Sequence, residues 1–185
     1  MKPVRIAVIG VGHMGRLHAE KVAALSREDG GVVLSALADH HLDRARRLAD
    51  ALGGRAFASI RDAFAAADAA IVAVPTEAHA EVVALALEVG LDVLVEKPMA
   101  TTLAEAEALA ALSAARGRVL QVGHLEWFNA AMRTVAARAT RPRFFEGHRL
   151  GPFPARSLDI DVVRDLMIHD VDIVQRLVGA EPVRV

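Results

Sequence analysis

Between a short β-branched apolar run, Val4 to Ile9, and an amphipathic stretch from His13 to Ser26 lies the segment Gly10-Val11-Gly12-His13-Met14-Gly15. A G-x-G-x-x-G in that setting constrains the chain more than any other feature. The first glycine allows a tight turn, the second lets a pyrophosphate approach the backbone, and the third brings helix against strand. The helix N-terminus then faces the negative charge. Alone, the motif is weak, because ordinary loops contain it too. A strand before it, a helix after it and an acid at the end of the next strand turn it into an expected dinucleotide site, with Gly10, Gly12, His13, Met14 and Gly15 at the cofactor. That acid is Asp39, 24 positions past Gly15. Its carboxylate is placed to accept hydrogen bonds from the adenosine ribose and repels a 2'-phosphate, so NAD is expected in preference to NADP. Asp39 also reads as a helix N-cap, a role compatible with the first.

The alternation of apolar strands and helices continues. Strands are expected at Val32 to Ala38, Ala69 to Val74, Val93 to Val95 and Val119 to Val122, with helices at Leu42 to Leu52, Glu77 to Val89 and, behind a Thr102/Glu105 capping box, to about Ala115. This rhythm implies βαβ units and a parallel sheet covered on both faces. The fold class is therefore α/β: a Rossmann-type doubly wound domain over residues 1–122, then the beginning of a C-terminal α/β (α+β) domain over 123–185. In that second part a helix is expected at Asn129 to Ala139, a strand at Arg143 to Leu150, a Pro-rich loop at Gly151 to Leu158 and a helix at Asp161 to Val178. Pro182, Val183 and Val185 hint at a strand just starting. Two helices and one or two strands do not enclose a core of their own, so this part is expected to lean on the first domain or on another chain.

Composition narrows the chemistry. The 185 residues include no cysteine and no tyrosine, which excludes disulfides, thiolate metal sites, thiol nucleophiles and phenol proton relays. With 22 basic and 23 acidic residues the chain lacks the excess of positive charge that a nucleic-acid or membrane-surface binder needs. No stretch reaches the roughly 18 consecutive apolar residues of a membrane span, and the first apolar run meets Gly10 too soon for a secretory segment. A cytoplasmic protein is expected.

Catalytic candidates follow from position. Lys97 is one of only three lysines, and Glu96-Lys97-Pro98 comes directly after a strand, at the sheet edge where ligands collect in such folds. A surface lysine in a turn is the plainer alternative. Val74-Pro75-Thr76 ends the preceding strand on the same edge, with His79 one turn later, where it either lines the cofactor groove or caps the helix. In the last helix Asp165, His169 and Asp172 fall at i, i+4 and i+7 and share one face, with Leu166, Met167, Val171, Val174, Leu177 and Val178 on the other. An ordinary amphipathic helix with an Asp172/Arg176 ion pair gives the same pattern. No second group of ligands accompanies the acid and imidazole, so no metal site is expected.

The combination of GVGHMGRLHAE, VPTEAHAEV, GLDVLVEKPMATT and DLMIHDVD resembles the glucose-fructose oxidoreductase and inositol dehydrogenase (Gfo/Idh/MocA) family over the whole chain. The resemblance implies an NAD(P)-dependent sugar or polyol dehydrogenase with an N-terminal Rossmann domain and a C-terminal domain on a large open sheet, within which this sequence stops. It implies Lys97, Asp165 and His169 as the catalytic set, and Pro75, Thr76, His79, Glu96 and Lys97 beside the cofactor. Within the family, QVGHLEWFNAA and EGHRLGPFPARSLDIDVVRDLMIHDVDIV are most similar to UDP-N-acetylglucosamine 3-dehydrogenases, whose 3-keto product an aminotransferase converts on the way to a lipid A precursor. That branch usually carries H-L-x-R-F-N-P, where Trp127 and Ala130 here replace Arg and Pro. The resemblance implies substrate contacts from Lys97, His124, Asn129, Arg149, Arg156, Asp165 and His169, with His169 as base, Lys97 as stabiliser of the developing oxyanion and Asp165 as orienting acid. It also implies a homo-oligomer.

Between Ala130 and Leu158 six arginines face one acid, Glu146. A phosphorylated substrate wants such donors, and a basic surface balanced by the acidic helix that follows explains them equally well. Two functions remain open: the dehydrogenase, acting on a UDP-sugar or on another sugar or inositol, and a nucleotide-binding protein without turnover.

Overall fold

The computed structural model describes residues 2–149, 161–180 and 182–184. The chain divides into two compact units, residues 1–122 and 123–185.

The first unit is an open six-stranded sheet, entirely parallel, made of β1 (Val4–Ile9), β2 (Val32–Ala38), β3 (Arg55–Phe57), β4 (Ala69–Val72), β5 (Asp92–Val95) and β6 (Leu120–Val122). Their spatial order is β3-β2-β1-β4-β5-β6, so chain direction across the sheet reverses between β1 and β4. In doubly wound folds that reversal opens a crevice at the carboxyl ends of the strands. The helices are α1 (His13–Glu28), α2 (Leu42–Leu52), α3 (Ile60–Ala65), α4 (His79–Glu88) and α5 (Leu103–Arg116).

Side chains alternate across the sheet, and the core divides accordingly. Val8, Leu37 and Ile71 pack with Ala19, Val22 and Ala45 of α1 and α2. Their chain neighbours Ala7, Ile9, Ala38, Ala70 and Val72 pack on the opposite side with Phe64, Val83, Leu87 and Leu109 of α3, α4 and α5. Both faces being covered is why these strands read as continuous apolar runs. The capping box at α5 is present: the Thr102 hydroxyl accepts from Glu105 N at 3.2 Å and Glu105 Oε2 accepts from Thr102 N at 2.9 Å.

Two elements are absent from the sequence reading, β3 and α3. β3 is only three residues long, too short to show a period. α3 does carry a start signal, Ser59, whose side chain accepts from Asp62 N at 3.3 Å.

The second unit contains a short turn of helix at Leu125–Phe128, then α6 (Ala130–Arg138), which Asn129 caps by accepting from Ala131 N. A π-helical turn at Val163–Met167 leads into α7 (Ile168–Val178). The strand expected at Arg143 to Leu150 does not form over residues 143–149, which pair with no strand among the described residues; Leu150 lies outside them. Residues 182–184 are likewise not strand, and the Gly151 to Leu158 loop and Val185 lie outside the described residues. No helix among the described residues is long and apolar enough to cross a membrane.

Candidate functional site

β1, β4 and β5 end in register, Ile9 beside Val72 and Val72 beside Val95. The glycine segment, Val74-Pro75-Thr76 and Glu96-Lys97-Pro98 therefore leave the sheet along one edge, at the reversal of strand order. The ladder extends one residue further on each side, through Ala73 N to Ile9 O at 2.8 Å and Glu96 N to Val72 O at 2.9 Å.

Each glycine of the motif answers to a local constraint. Gly10 has φ +81°, and a Cβ there would lie 2.7 Å from Ala73 O. A Cβ on Gly15 would overlap the Gly10 carbonyl, so only glycine lets α1 come this close to the end of β1. A Cβ on Gly12 would meet nothing within 4 Å. Gly12 is also the N-cap of α1 and offers no side-chain acceptor to the first-turn N–H groups. Uncapped N–H groups beside an open backbone face suit a pyrophosphate. His13 is exposed and Met14 half-buried at this helix start. The residues present thus fit the phosphate portion of a dinucleotide.

Asp39 follows β2 and its side chain is only 6% exposed. Its Oδ2 accepts from Val11 N and its Oδ1 from His41 N, each at 2.9 Å, and Arg44 Nη1 lies 3.6 Å from Oδ2. The N-cap position of α2 belongs to His41, so Asp39 does not cap that helix. It fastens the glycine segment to the end of β2 instead. Each carboxylate oxygen retains a second lone-pair direction for a ribose hydroxyl.

Around Lys97 the neighbours are buried polar groups. Glu96 is buried, and His18 Nε2 of α1 donates to its Oε1 at 2.5 Å. Lys97 itself is half-buried, and it too takes part in a polar interaction. Pro75 is exposed and Thr76 buried. His79 corrects both roles expected of it: at 1% exposure it lines no groove, and its ring nitrogens face two carbonyls and cap no helix. Nδ1 lies 2.8 Å from Pro98 O and Nε2 3.0 Å from Val74 O. His18 escaped the sequence reading. The available signal was a polar residue on the buried stripe of α1, beside Gly15, Ala19 and Val22.

In the second unit Asp165 precedes α7 in the π-helical turn and His169 lies in its first turn; both are half-buried, as is Asp172. Of the apolar residues placed by periodicity opposite Asp165 and His169, Leu166, Met167, Val171 and Val178 are exposed and Val174 and Leu177 half-buried. A π turn advances the chain by more residues than an α turn, so a 3.6-residue wheel does not describe this element. Arg149 Nε donates to both oxygens of Asp170 at 2.9 Å. Arg176 bonds Asp172 at 2.8 Å and lies over the Trp127 ring, 5.4 Å from its centroid. Among the described residues His124 Nδ1 is buried without a hydrogen-bond partner, and Asn129 is exposed as the α6 cap. Arg156 lies outside the described residues. Among the described residues no group of three metal-ligating side chains forms.

Residues 4–124 match the Gfo/Idh/MocA family model, an oxidoreductase family with an NAD-binding Rossmann fold. The chain is 42% identical over 183 residues to a UDP-N-acetylglucosamine 3-dehydrogenase of Acidithiobacillus ferrooxidans, covering 98% of this chain and 56% of that protein. A solved structure of that enzyme superposes with a TM-score of 0.90 at 41% identity, over 100% of this chain and 59% of the other. A myo-inositol dehydrogenase of Streptomyces leeuwenhoekii is 34% identical over 198 residues, covering 97% of this chain and 57% of its own length. GenD2 from gentamicin A biosynthesis, solved in complex with NAD, superposes at TM-score 0.83 and 25% identity, over 97% of this chain and 54% of its own. The chain thus spans a little over half the length of the curated relatives it matches. With the strand order, the glycine geometry and the Glu96-Lys97-Pro98 edge in place, the chain belongs to the Gfo/Idh/MocA oxidoreductase family, and its first unit is that family's NAD-binding Rossmann fold.

Proposed function

We propose that this chain serves an NAD-dependent dehydrogenase that oxidises a sugar hydroxyl, the 3-hydroxyl of UDP-N-acetylglucosamine. The observation that carries this reading is the 42% identity to the Acidithiobacillus ferrooxidans enzyme, extending through the second unit, where the Asp165 and His169 pair lies. NAD supplies the hydride acceptor when bound. Gly10, Gly12 and the start of α1 hold its pyrophosphate, with His13 and Met14 alongside, and Asp39 accepts from the adenosine ribose and disfavours a 2'-phosphate. Pro75, Thr76 and Glu96 form the edge against which the cofactor is set.

A hydroxyl that gives up hydride from its carbon must also lose its proton. His169 takes that proton, Lys97 donates a hydrogen bond to the oxygen as negative charge grows on it, and Asp165 orients the imidazole. His124, Asn129, Arg149 and Arg156 are the residues assigned to the sugar nucleotide, and arginine suits its diphosphate. Residues 123–185 belong to the substrate and dimerisation domain. The same reading makes the protein a cytoplasmic homo-oligomer, consistent with a cysteine-free sequence, whose 3-keto product feeds an aminotransferase in lipid A precursor synthesis.

A second reading, oxidation of inositol, is favoured by the 34% identity to a myo-inositol dehydrogenase and by Trp127 and Ala130 in place of the branch's Arg and Pro. Purified protein is mixed with NAD and, in turn, UDP-N-acetylglucosamine, myo-inositol and glucose, and NADH absorbance is followed. Formation with the UDP-sugar is the expected result. Formation with inositol alone selects the second reading. NAD binding without NADH from any substrate shows a binding protein without turnover.

A further inference from the structure

The short segment bearing Lys97 is held from both sides by histidines of two different helices. On one flank, Glu96 is buried and accepts from His18 Nε2 of α1 at 2.5 Å, while its backbone N–H bonds Val72 O at 2.9 Å. On the other flank, Pro98 O faces His79 Nδ1 of α4 at 2.8 Å. The far side of the same ring, Nε2, faces Val74 O at 3.0 Å, so one imidazole joins the chain after β4 to the chain after β5. Carbonyl oxygens only accept; a ring with a proton on each nitrogen satisfies both bonds, and a neutral ring satisfies one.

We propose that His18 and His79 are positioning residues that clamp Glu96-Lys97-Pro98 and so fix where the Lys97 amine is presented. Apolar side chains of similar size would fill these buried places without the cost of desolvating polar groups. What hydrogen bonds add is direction. A part-buried bond to the side chain of the residue before Lys97 and a buried one to the carbonyl of the residue after it restrict the lysine backbone, and pre-set geometry is what a group stabilising developing charge requires. The clamp also ties this segment to α1, whose N-terminus is the phosphate site, and to the Val74-Pro75-Thr76 turn. The inference rests on the reading of Lys97 as catalytic for its functional meaning, though not for its geometry.

The three lysines make a direct test possible, because Lys2 and Lys21 are exposed internal references in the same chain. The full chain is acetylated to low extent with isotope-coded acetic anhydride, digested, and the Lys97-to-Lys2 labelling ratio is read by mass spectrometry. His18→Leu and His79→Leu are expected to change that ratio several-fold, upward as the half-buried lysine is released, and His18→Gln, which keeps an N–H donor, to restore it toward the parent value. A role in packing alone lowers the melting temperature of the leucine variants and leaves the ratio unchanged, which overturns the proposal. Should a leucine variant not fold, hydrogen exchange of the parent decides. An amide of Lys97 protected like those of β5 supports the clamp, and exchange as fast as that of exposed loops refutes it. Lys97→Ala assayed for NADH formation separates the two claims: full turnover without Lys97 defeats the catalytic reading while the labelling ratios still report on the clamp.

Discussion

All five helices of residues 1–122 contribute buried side chains to the core, whereas neither α6 nor α7 buries one. The polar groups differ in the same way. In the first unit His79, Thr76 and Glu96 are buried, with two backbone carbonyls within hydrogen-bond reach of His79 and the half-buried His18 within reach of Glu96. In the second, Arg149 with Asp170 and Arg176 with Asp172 are ion pairs on partly exposed side chains. Such pairs contribute about 0–1 kcal/mol each. The cofactor half is shaped by packing, and its polar groups therefore hold position before any ligand arrives. The candidate base and acid of the other half sit on an element where Leu166, Met167, Val171 and Val178 are exposed and no side chain is fully buried.

The largest effect that sharpens this contrast is on turnover. On an active parent, Lys97→Ala and His169→Ala should each lower the rate by about 10²–10⁴-fold, the range for losing an oxyanion donor or a general base. NAD affinity, measured by calorimetry, should stay within about twofold, a change of under 0.5 kcal/mol. If His169→Ala abolished NAD binding instead, the division of labour between the two units would be wrong.

Stability comes next. Leu87 is 0% exposed between α4 and the sheet, and Leu87→Ala should cost about 2–5 kcal/mol in denaturant unfolding. Leu166, at 38% exposure, should change stability by no more than about 0.5 kcal/mol on substitution by alanine. Equal costs at the two sites would remove the distinction between a packed and an open unit.

Asp39 probes the cofactor edge itself. Losing a hydrogen bond to a charged group costs about 1.5–3 kcal/mol, so Asp39→Ser should weaken NAD binding by about tenfold to a hundredfold. NADP binding should weaken less or improve, because the carboxylate that repels the 2'-phosphate is gone. Parallel losses for both dinucleotides would mean that Asp39 matters only for holding Val11 N, the bond it makes at 2.9 Å.

What could be read beforehand follows the same divide. Val4–Ile9, Val32–Ala38 and Leu42–Leu52 form with the bounds their patterns indicate, because in a packed α/β unit apolar periodicity, glycine stops and capping residues all serve one core. β3 has too few residues to carry a period, and His18 offers only the signal of a polar residue on the buried stripe of α1, its partner Glu96 lying 78 positions away. In the second unit the apolar face of the last helix is only partly covered, with Val174 and Leu177 half-buried and Leu166, Met167, Val171 and Val178 exposed. The π turn at Val163–Met167 breaks the helical repeat, and no closed core there makes burial follow apolarity.

The smallest effect concerns an ion pair of the first unit that has the geometry its counterparts in the second lack. Asp68 Oδ2 accepts from Arg5 N at 2.9 Å and from Arg5 Nε at 3.0 Å, and Oδ1 accepts from Nη2 at 2.7 Å. These bonds join the loop before β4 to β1, and they hold the Asp68 carboxyl well below the usual carboxylate range, the side-chain bond from Arg5 contributing most. A carboxyl depressed in the folded state stabilises the fold above the unfolded-state pKa of about 4, and that contribution fades as pH falls through the lower folded value. Asp68→Asn should therefore lower the melting temperature slightly at pH 7, with the difference from the parent shrinking below about pH 4. Because both side chains are exposed, added salt should shrink it as well. Asp170→Asn, which loses a single N–H shared between two oxygens, should lower it less. A larger loss at Asp170 than at Asp68 would show that ion pairs, rather than packing, do most to hold the second unit together.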